Sequence, residues 1–299
     1  MEFLRRTSEL RDDGYTPGEL SRLVRTGDLT RIRRGCYGPA QTESPDPIEQ
    51  HHRLVRATFP LVAPDAVVSH VSAAVLHGLP LFATPLIRVQ LTRAEIPGGK
   101  ARSAIQLHAA SLDASEVAVI DGISVTTLPR TVADLARSLS FEQAVVSGDA
   151  ALRLGLSRVE VEDGLLRMRR WPGVVQARRV IRFLDGRSES PGESRSRVGF
   201  LTSGIPSPEP QYEVHDERGR LIARTDFAWE QFRTLGEFDG KAKYGRLLRP
   251  GETPDDAVDR EKMRCAALAG RWSDGPGPIW PGLRRSPVVF TRPSPVHDP

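Results

Sequence analysis

Cysteine is nearly absent: Cys36 and Cys265 are the two in 299 residues, and they lie far apart. That pair supports neither a disulfide framework nor the paired spacing of a structural zinc site. Long apolar runs are missing as well. None approaches the 18 residues that cross a bilayer, and Met1-Glu-Phe-Leu-Arg-Arg lacks the apolar core of a signal peptide. The expectation is a soluble chain in a reducing cytoplasm with no membrane partner. Lysine is scarce beside arginine, and the formal charge is a modest +4. Arginine's planar fork suits phosphate, although a GC-rich genome produces the same bias. At 299 residues there is length for two or three domains, each with its own core.

The fold class read from the pattern is α+β or α/β and multidomain, in four stretches. Residues 1–43 begin with a helix over Leu4–Leu10. Thr16-Pro-Gly-Glu then supplies an N-cap, a first-turn proline and an acidic third residue for a second helix, which Gly27 ends. Leu29-Thr-Arg-Ile-Arg-Arg-Gly-Cys-Tyr-Gly alternates like a strand pair with a glycine turn, so the order is that of a winged helix. Its candidate DNA contacts are Arg22 and Arg25 on the helix and Arg31, Arg33 and Arg34 on the wing. There they would sit at phosphates; a solvated basic hairpin is the alternative.

Residues 44–187 read as a helix-rich middle region. Asp46-Pro-Ile-Glu starts a helix carrying His51 and His52, and Ser69 to Gly78 is a short buried helix. Strands fall at Leu86–Thr92, Ile105–His108 and after Gly122, and four helices run from Arg130 to Leu184. The last two helices are basic, which fits either a positive wall for nucleic acid or a solvated face. His70 and His77, seven apart, invite a metal reading. Helix packing is favoured over it, because no nearby carboxylate or cysteine completes a site. Residues 188–264 read helix, strand, strand, strand, helix, a mixed sheet flanked by helices. Residues 265–299 hold seven prolines and little periodicity, and read as an irregular, disordered tail.

Two apolar-rich segments, Arg220 to Trp229 and Thr234 onward, flank a four-residue polar connection, so a β-hairpin is expected. With Trp229 opposite Thr234, Asp226 falls directly across from Glu237, and Asp239 shares that face. Phe227 and Phe238 would point to the opposite layer. Opposed carboxylates destabilise a hairpin unless something offsets them, and a hard cation such as Mg²⁺ does so economically. Lys241 would neutralise part of the cluster or orient an attacking water, and Glu193 would enter from the helix begun by Ser190-Pro-Gly-Glu. The chemistry expected of such a set is metal-assisted phosphodiester hydrolysis. Ordinary solvated surface acids are the competing reading.

Ser190-Pro-Gly-Glu-Ser-Arg-Ser-Arg, Gly204-Ile-Pro-Ser-Pro-Glu-Pro-Gln, Arg224-Thr-Asp-Phe-Ala-Trp and Gly236-Glu-Phe-Asp-Gly-Lys-Ala-Lys-Tyr resemble, in order, Vsr-like members of the PD-(D/E)XK nuclease superfamily. The resemblance implies Asp226 and Glu237 as metal ligands, Glu193 as the helix acid and Asp239 as a further site residue. It departs where Asp239 stands in the position usual for lysine, with Lys241 the nearest substitute. Gly14-Tyr-Thr-Pro-Gly-Glu-Leu, Leu29-Thr-Arg-Ile-Arg-Arg-Gly-Cys-Tyr and Ser69-His-Val-Ser-Ala-Ala-Val-Leu-His-Gly-Leu-Pro resemble the AbiEi antitoxins of type IV toxin–antitoxin systems. That likeness implies a winged-helix DNA-binding domain, often autoregulatory, with a cognate toxin as a partner beside DNA.

Three functions therefore stand side by side. One is a Mg²⁺-dependent endodeoxyribonuclease whose N-terminal half selects DNA. Another is a catalytically inactive DNA-binding antitoxin that represses its own operon, and the third is an interaction module that neutralises a toxin. A Vsr-like domain continues with a buried strand and another helix. Asp259-Arg-Glu-Lys-Met-Arg begins such a helix, but the glycine and proline from Cys265 onward end it. A frame change or degenerate end near Cys265 is expected, leaving one sheet edge uncovered.

Overall fold

Leu4–Leu10, read from sequence as one helix, is divided in the computed structural model. Arg5–Arg6 form a short strand, β1, and α1 follows at Thr7–Asp12. Backbone pairing decides this: Arg5 lies opposite Tyr37 and Arg6 opposite Cys36, and the Thr7 N–H reaches the Gly35 carbonyl at 3.0 Å. The structure describes residues 4–40, 46–94, 99–102, 104–215, 218–238 and 288–291. Next, α2 (Pro17–Thr26) has the expected cap, with Thr16 Oγ1 accepting the Glu19 N–H and Glu19 Oε2 accepting the Thr16 N–H. β2 (Leu29–Arg33) and β3 (Cys36–Pro39) form the expected hairpin, and β1 adds to it in the order β1-β3-β2.

The chain divides into two compact units, Met1–Ser147 with Gly155–Arg182 and Gly148–Leu154 with Phe183–Pro299. The expected boundary after residue 43 falls inside the first unit. After the hairpin, α3 (Pro47–Thr58), β4 (Val67–Val68), α4 (His70–Leu76), β5 (Val89–Arg93), β6 (Lys100–Arg102), β7 (Ile105–Ala109), β8 (Val117–Ile120) and β9 (Ile123–Thr126) follow in order. The six strands make one sheet, β6-β7-β5-β4-β9-β8, in which β4–β9 and β5–β7 are parallel. Asp121 and Gly122 both have positive φ, as a two-residue turn between β8 and β9 requires. The core lies between this sheet and helices α3 and α4. Val55 and Ala73 come from the helices, and Val68, Val89, Leu91 and Val125 from the strands. A sheet of this size qualifies the expectation of a mainly helical middle region. The four helices after it are as expected: α5 (Leu128–Ser138), α6 (Phe141–Arg153), α7 (Arg158–Arg167) and α8 (Val174–Phe183).

In the second unit, α9 (Pro191–Thr202) precedes β10 (Glu209–His215), β11 (Leu221–Trp229), β12 (Thr234–Phe238) and β13 (Val288–Thr291). The sheet order is β10-β11-β12-β13, and each described pairing is antiparallel. A mixed sheet was expected. Short connections join β10 to β11 and β11 to β12, and antiparallel pairing follows from them. Pro210 is tolerated because β10 is an edge strand. The uncovered edge after β12 is also corrected. Val288-Val-Phe-Thr, a β-branched and aromatic run inside the supposed irregular tail, pairs along β12 with Val289 opposite Glu237. The expected helix at Asp259 and the segment Arg271–Trp280 lie outside the described residues. No helix among the described residues is long and apolar enough to cross a membrane.

Phe200 of α9 packs edge-on against Phe227 and Trp229 at 5.2 and 5.0 Å, and Ile205 completes that core. Behind α9 a buried ion pair fixes the frame. Arg197 Nη1 meets Asp149 Oδ2 at 2.7 Å, Arg197 Nη2 donates to the Phe183 carbonyl at 2.7 Å, and Asp149 Oδ1 accepts the Asp185 N–H at 2.8 Å. Removing one partner of such a pair leaves a buried charge uncompensated. Asp149→Ala is expected to cost about 3–5 kcal/mol, read as a lower urea midpoint with an unchanged m-value. A midpoint within experimental error of wild type would contradict this.

Candidate functional site

Trp229 lies opposite Thr234, Ala228 opposite Leu235 and Phe227 opposite Gly236, the register read from the sequence. Continued by one residue, it brings Asp226 level with Glu237. A hydrogen bond anchors the level: the Phe238 N–H donates to Asp226 Oδ2 at 2.7 Å. Asp226 Oδ1 has no hydrogen-bond partner among the described residues. Phe227 is fully buried, and Phe238 packs on the same aromatic core, as expected of the opposite layer.

Glu193 approaches this row from α9. Its first helical turn starts at the Ser190 cap, with the Glu193 N–H donating to Ser190 Oγ at 3.2 Å. The carboxylate turns back on its own helix start, where Oε1 accepts the Ser190 hydroxyl at 2.7 Å and Oε2 the Glu189 N–H at 2.9 Å. Oε2 also accepts Gln211 Nε2 at 2.7 Å. Only 5% of Glu193 is exposed, so this contact is a buried, charge-assisted link from α9 to β10. Gln211 falls between the pairs Pro210–Phe227 and Tyr212–Thr225, hence at the level of Asp226. Its backbone is left-handed, φ +52°, inside a strand. That strain in a non-glycine residue is held by the pairs on either side. Gly192 is required next to Glu193, since a Cβ there would overlap the Phe238 ring.

Gln211, Asp226 and Glu237 thus fall at one level of the strand register, and Glu193 joins Gln211 by its hydrogen bond. Gln211 was not singled out from sequence. It lies in β10 just after a Pro-rich run, and nothing in that composition announces a left-handed residue. Asp239 and Lys241 lie outside the described residues. Among the described residues no three His, Cys, Asp or Glu side chains converge as a metal cluster. The donors fit a hard dication in kind, two carboxylates on neighbouring strands, without closing a three-residue set there.

The candidate basic residues of the first unit differ in exposure. Arg22, Arg25, Arg31 and Arg34 are exposed, and Arg33 is half-buried with its Nε and Nη1 lacking acceptors. Arg31 sits opposite Tyr37 and Arg33 opposite Cys36, with a register irregularity between them. Arg5 and Arg6 of β1 join the same sheet, and Arg5 is already paired with Asp13. Of the arginines on and after the later helices, Arg167 lies near Glu116, Arg179 covers the Phe141 ring, and Arg187 is gripped by Asp185 and Glu209.

No family model matches the chain. It is 29% identical over 277 residues to two uncharacterized proteins of Mycobacterium tuberculosis, MT2308 of strain CDC 1551 / Oshkosh and Rv2248 of strain ATCC 25618 / H37Rv. Each alignment covers 87% of this chain and 97% of the relative. Among solved structures, the RV2827C protein of Mycobacterium tuberculosis aligns at a TM-score of 0.39 and 14% identity, covering 71% of this chain and 83% of that one.

A second polar cluster lies inside the first unit. His77 Nε2 donates to the Thr126 carbonyl at 2.8 Å, in keeping with a packing role. His70 is different. It opens α4 with φ +52°, and its ring stacks on His108 at 3.7 Å and 13°. Thr92 Oγ1 donates to Ser69 Oγ at 2.8 Å, so the Ser69 hydroxyl is left to donate to His70 Nδ1 at 3.0 Å. The remaining His70 proton is then on Nε2, 3.9 Å from Asp134 Oδ1. Asp134 takes Arg130 at 2.9 Å and Arg137 at 3.4 Å, and Arg130 also holds Glu116 at 3.0 Å. Sequence offered one signal for this network, the Arg130–Asp134 spacing of four on a helix.

Burial, with Arg137 and Arg130 alongside, pushes the His70 pKa down to about 3. Burial and the neighbouring His70 push His108 down to about 4. Both values fall below the ordinary 6.5, so protonation favours the unfolded chain. The stability that neutrality contributes is complete above about pH 6.5 and is lost as pH falls toward those values, at up to about 1.4 kcal/mol per pH unit for each ring. Urea unfolding between pH 7 and 5 should report this slope, and His108→Phe, which keeps a stacking partner for His70, should lower it. A flat profile in the wild type would contradict it.

Proposed function

We propose that the chain is a DNA-binding protein of the antitoxin or defence type whose second unit carries a PD-(D/E)XK-like, metal-dependent endonuclease site. The level alignment of Asp226 with Glu237, anchored by the Phe238 N–H on Asp226, is the observation that carries this reading. Asp226 and Glu237 would hold Mg²⁺, which supplies polarisation of a scissile phosphate and a more acidic water. Glu193 acts from behind, holding Gln211 against the start of α9 so that the row keeps its level. The Phe238 N–H orients Asp226 by occupying Oδ2 and leaving Oδ1 toward the ligand. The basic hairpin β2–β3, following α1 and α2, supports a winged-helix role in which Arg31, Arg33 and Arg34 meet phosphates and α2 approaches a groove.

A second reading is favoured by a separate observation. Glu193 already accepts three protein donors and Asp226 Oδ2 accepts a fourth, so part of the carboxylate set serves the fold. On that reading the second unit is a non-cutting DNA-binding domain, and the chain is an antitoxin that represses its own operon.

Two measurements separate them. Plasmid or single-stranded DNA is expected to be nicked in Mg²⁺. Asp226→Ala and Glu237→Ala should each reduce nicking by more than the roughly 10–100-fold that loss of an outer-sphere partner costs. No cleavage in Mg²⁺ or Mn²⁺ with DNA binding intact selects the repressor. For the hairpin, Arg31/Arg33/Arg34→Ala together should weaken DNA binding and flatten the slope of log affinity against log salt by about 2–3. An unchanged slope removes the hairpin from the interface.

A further inference from the structure

The His70–His108 cluster borders a pocket of about 620 Å³ in the first unit, lined also by Asp134, Arg137, Arg170 and Trp171. A volume of this size, with a few converging polar groups, is typical of small-molecule sites. Three features restrict what could occupy it. The first is charge. Arg130 and Arg137 are matched by Glu116 and Asp134, so the exposed Arg170 gives the pocket its net positive charge. The second is an unmet donor. Arg137 gives Nη1 to the Pro172 carbonyl at 2.9 Å and Nη2 to Asp134, but its buried Nε has no acceptor among the described residues. A buried guanidinium N–H without a partner is rare and calls for an oxyanion or water. The third is shape. His70 and His108 both line the pocket and stack near-parallel on one another, so its wall carries aromatic rings that a flat ligand can meet.

A metal ion is the wrong occupant. The two imidazoles are stacked face to face, His70 Nδ1 is committed to Ser69, and His108 Nε2 reaches Gln90 Oε1 at 3.2 Å. An apolar ligand would leave Arg137 Nε unsatisfied.

We propose that this pocket binds a nucleoside monophosphate, its phosphate on Arg137 and Arg170 and its base against the imidazole stack. The site is separate from the carboxylate row of the second unit and independent of whether that row cuts DNA. The left-handed backbone at His70 and the relay from Thr92 through Ser69 hold the stack in place before a ligand arrives, so little ordering remains to be done on binding.

Titration calorimetry on the full chain, with AMP, GMP, CMP and UMP as probes, tests this. At least one is expected to bind saturably, and at least tenfold more tightly than inorganic phosphate or the matching nucleoside. Arg170→Glu, at an exposed position, should weaken that binding tenfold or more with the circular dichroism spectrum unchanged, and His108→Leu should weaken it as well. Asp226→Ala should leave it unaltered. No saturable binding overturns the proposal, as does phosphate or nucleoside alone binding as well as the nucleotide. Equal binding by Arg170→Glu, or loss in Asp226→Ala, overturns it too, because the ligand would then sit elsewhere.

Discussion

Asp149, buried on the last turns of α6, receives the guanidinium of Arg197 and the N–H of Asp185, and the second unit is organised around that pair. The two charges are taken out of water and are stable there only because each has further partners: Phe183 O for the guanidinium, the Asp185 amide for the carboxylate. Geometry this constrained leaves α9 little freedom. Its N-terminus is held where Glu193 can reach Gln211, and its middle is held where Phe200 meets Phe227 and Trp229. The carboxylate row therefore depends on an ion pair that belongs to no part of the site.

Two kinds of polar arrangement coexist in the molecule. In the carboxylate row, Asp226 and Glu237 fall level on neighbouring strands, with the Phe238 N–H on Asp226, while Gln211 donates to Glu193. In the histidine cluster the order is reversed: Asp134 and Glu116 serve two arginines, and burial with those arginines alongside keeps two imidazoles uncharged. The first arrangement leaves negative charge for a cation to meet. The second leaves an excess of guanidinium for an anion to meet. Under the two proposals, each unit would take one ligand and the two ligands would be of opposite charge.

The parts of this legible in sequence are those governed by short-range rules. Thr16-Pro-Gly-Glu and Ser190-Pro-Gly-Glu each start a helix because the cap chemistry is contained in four residues. The hairpin register could be read because a four-residue connection between apolar segments permits few pairings, and one of them sets Trp229 against Thr234. What escaped reading was set by distant partners. Val67–Val68 is too short to be recognised without β5 and β9 beside it. Arg5–Arg6 becomes a strand only because Tyr37 and Cys36 offer it an edge. Gln211 adopts a left-handed backbone that its own side chain gives no reason to expect, and the pocket beside Asp134 and Arg137 is assembled from five separated segments.

Strand β13 has a consequence for biosynthesis. It covers the open side of β12, yet Val289 is 52 residues beyond its partner Glu237 (289 − 237). On the ribosome, Asp226 and Glu237 are made and can form their hairpin well before Val288–Thr291 exists. During that interval β12 presents a bare edge, with unpaired N–H and C=O groups open to any neighbouring chain. Pairing of β12 with β13 therefore has to wait until the intervening residues have been made. Growing chains emerging side by side on one messenger would be exposed to strand exchange at β12 until their own β13 arrives.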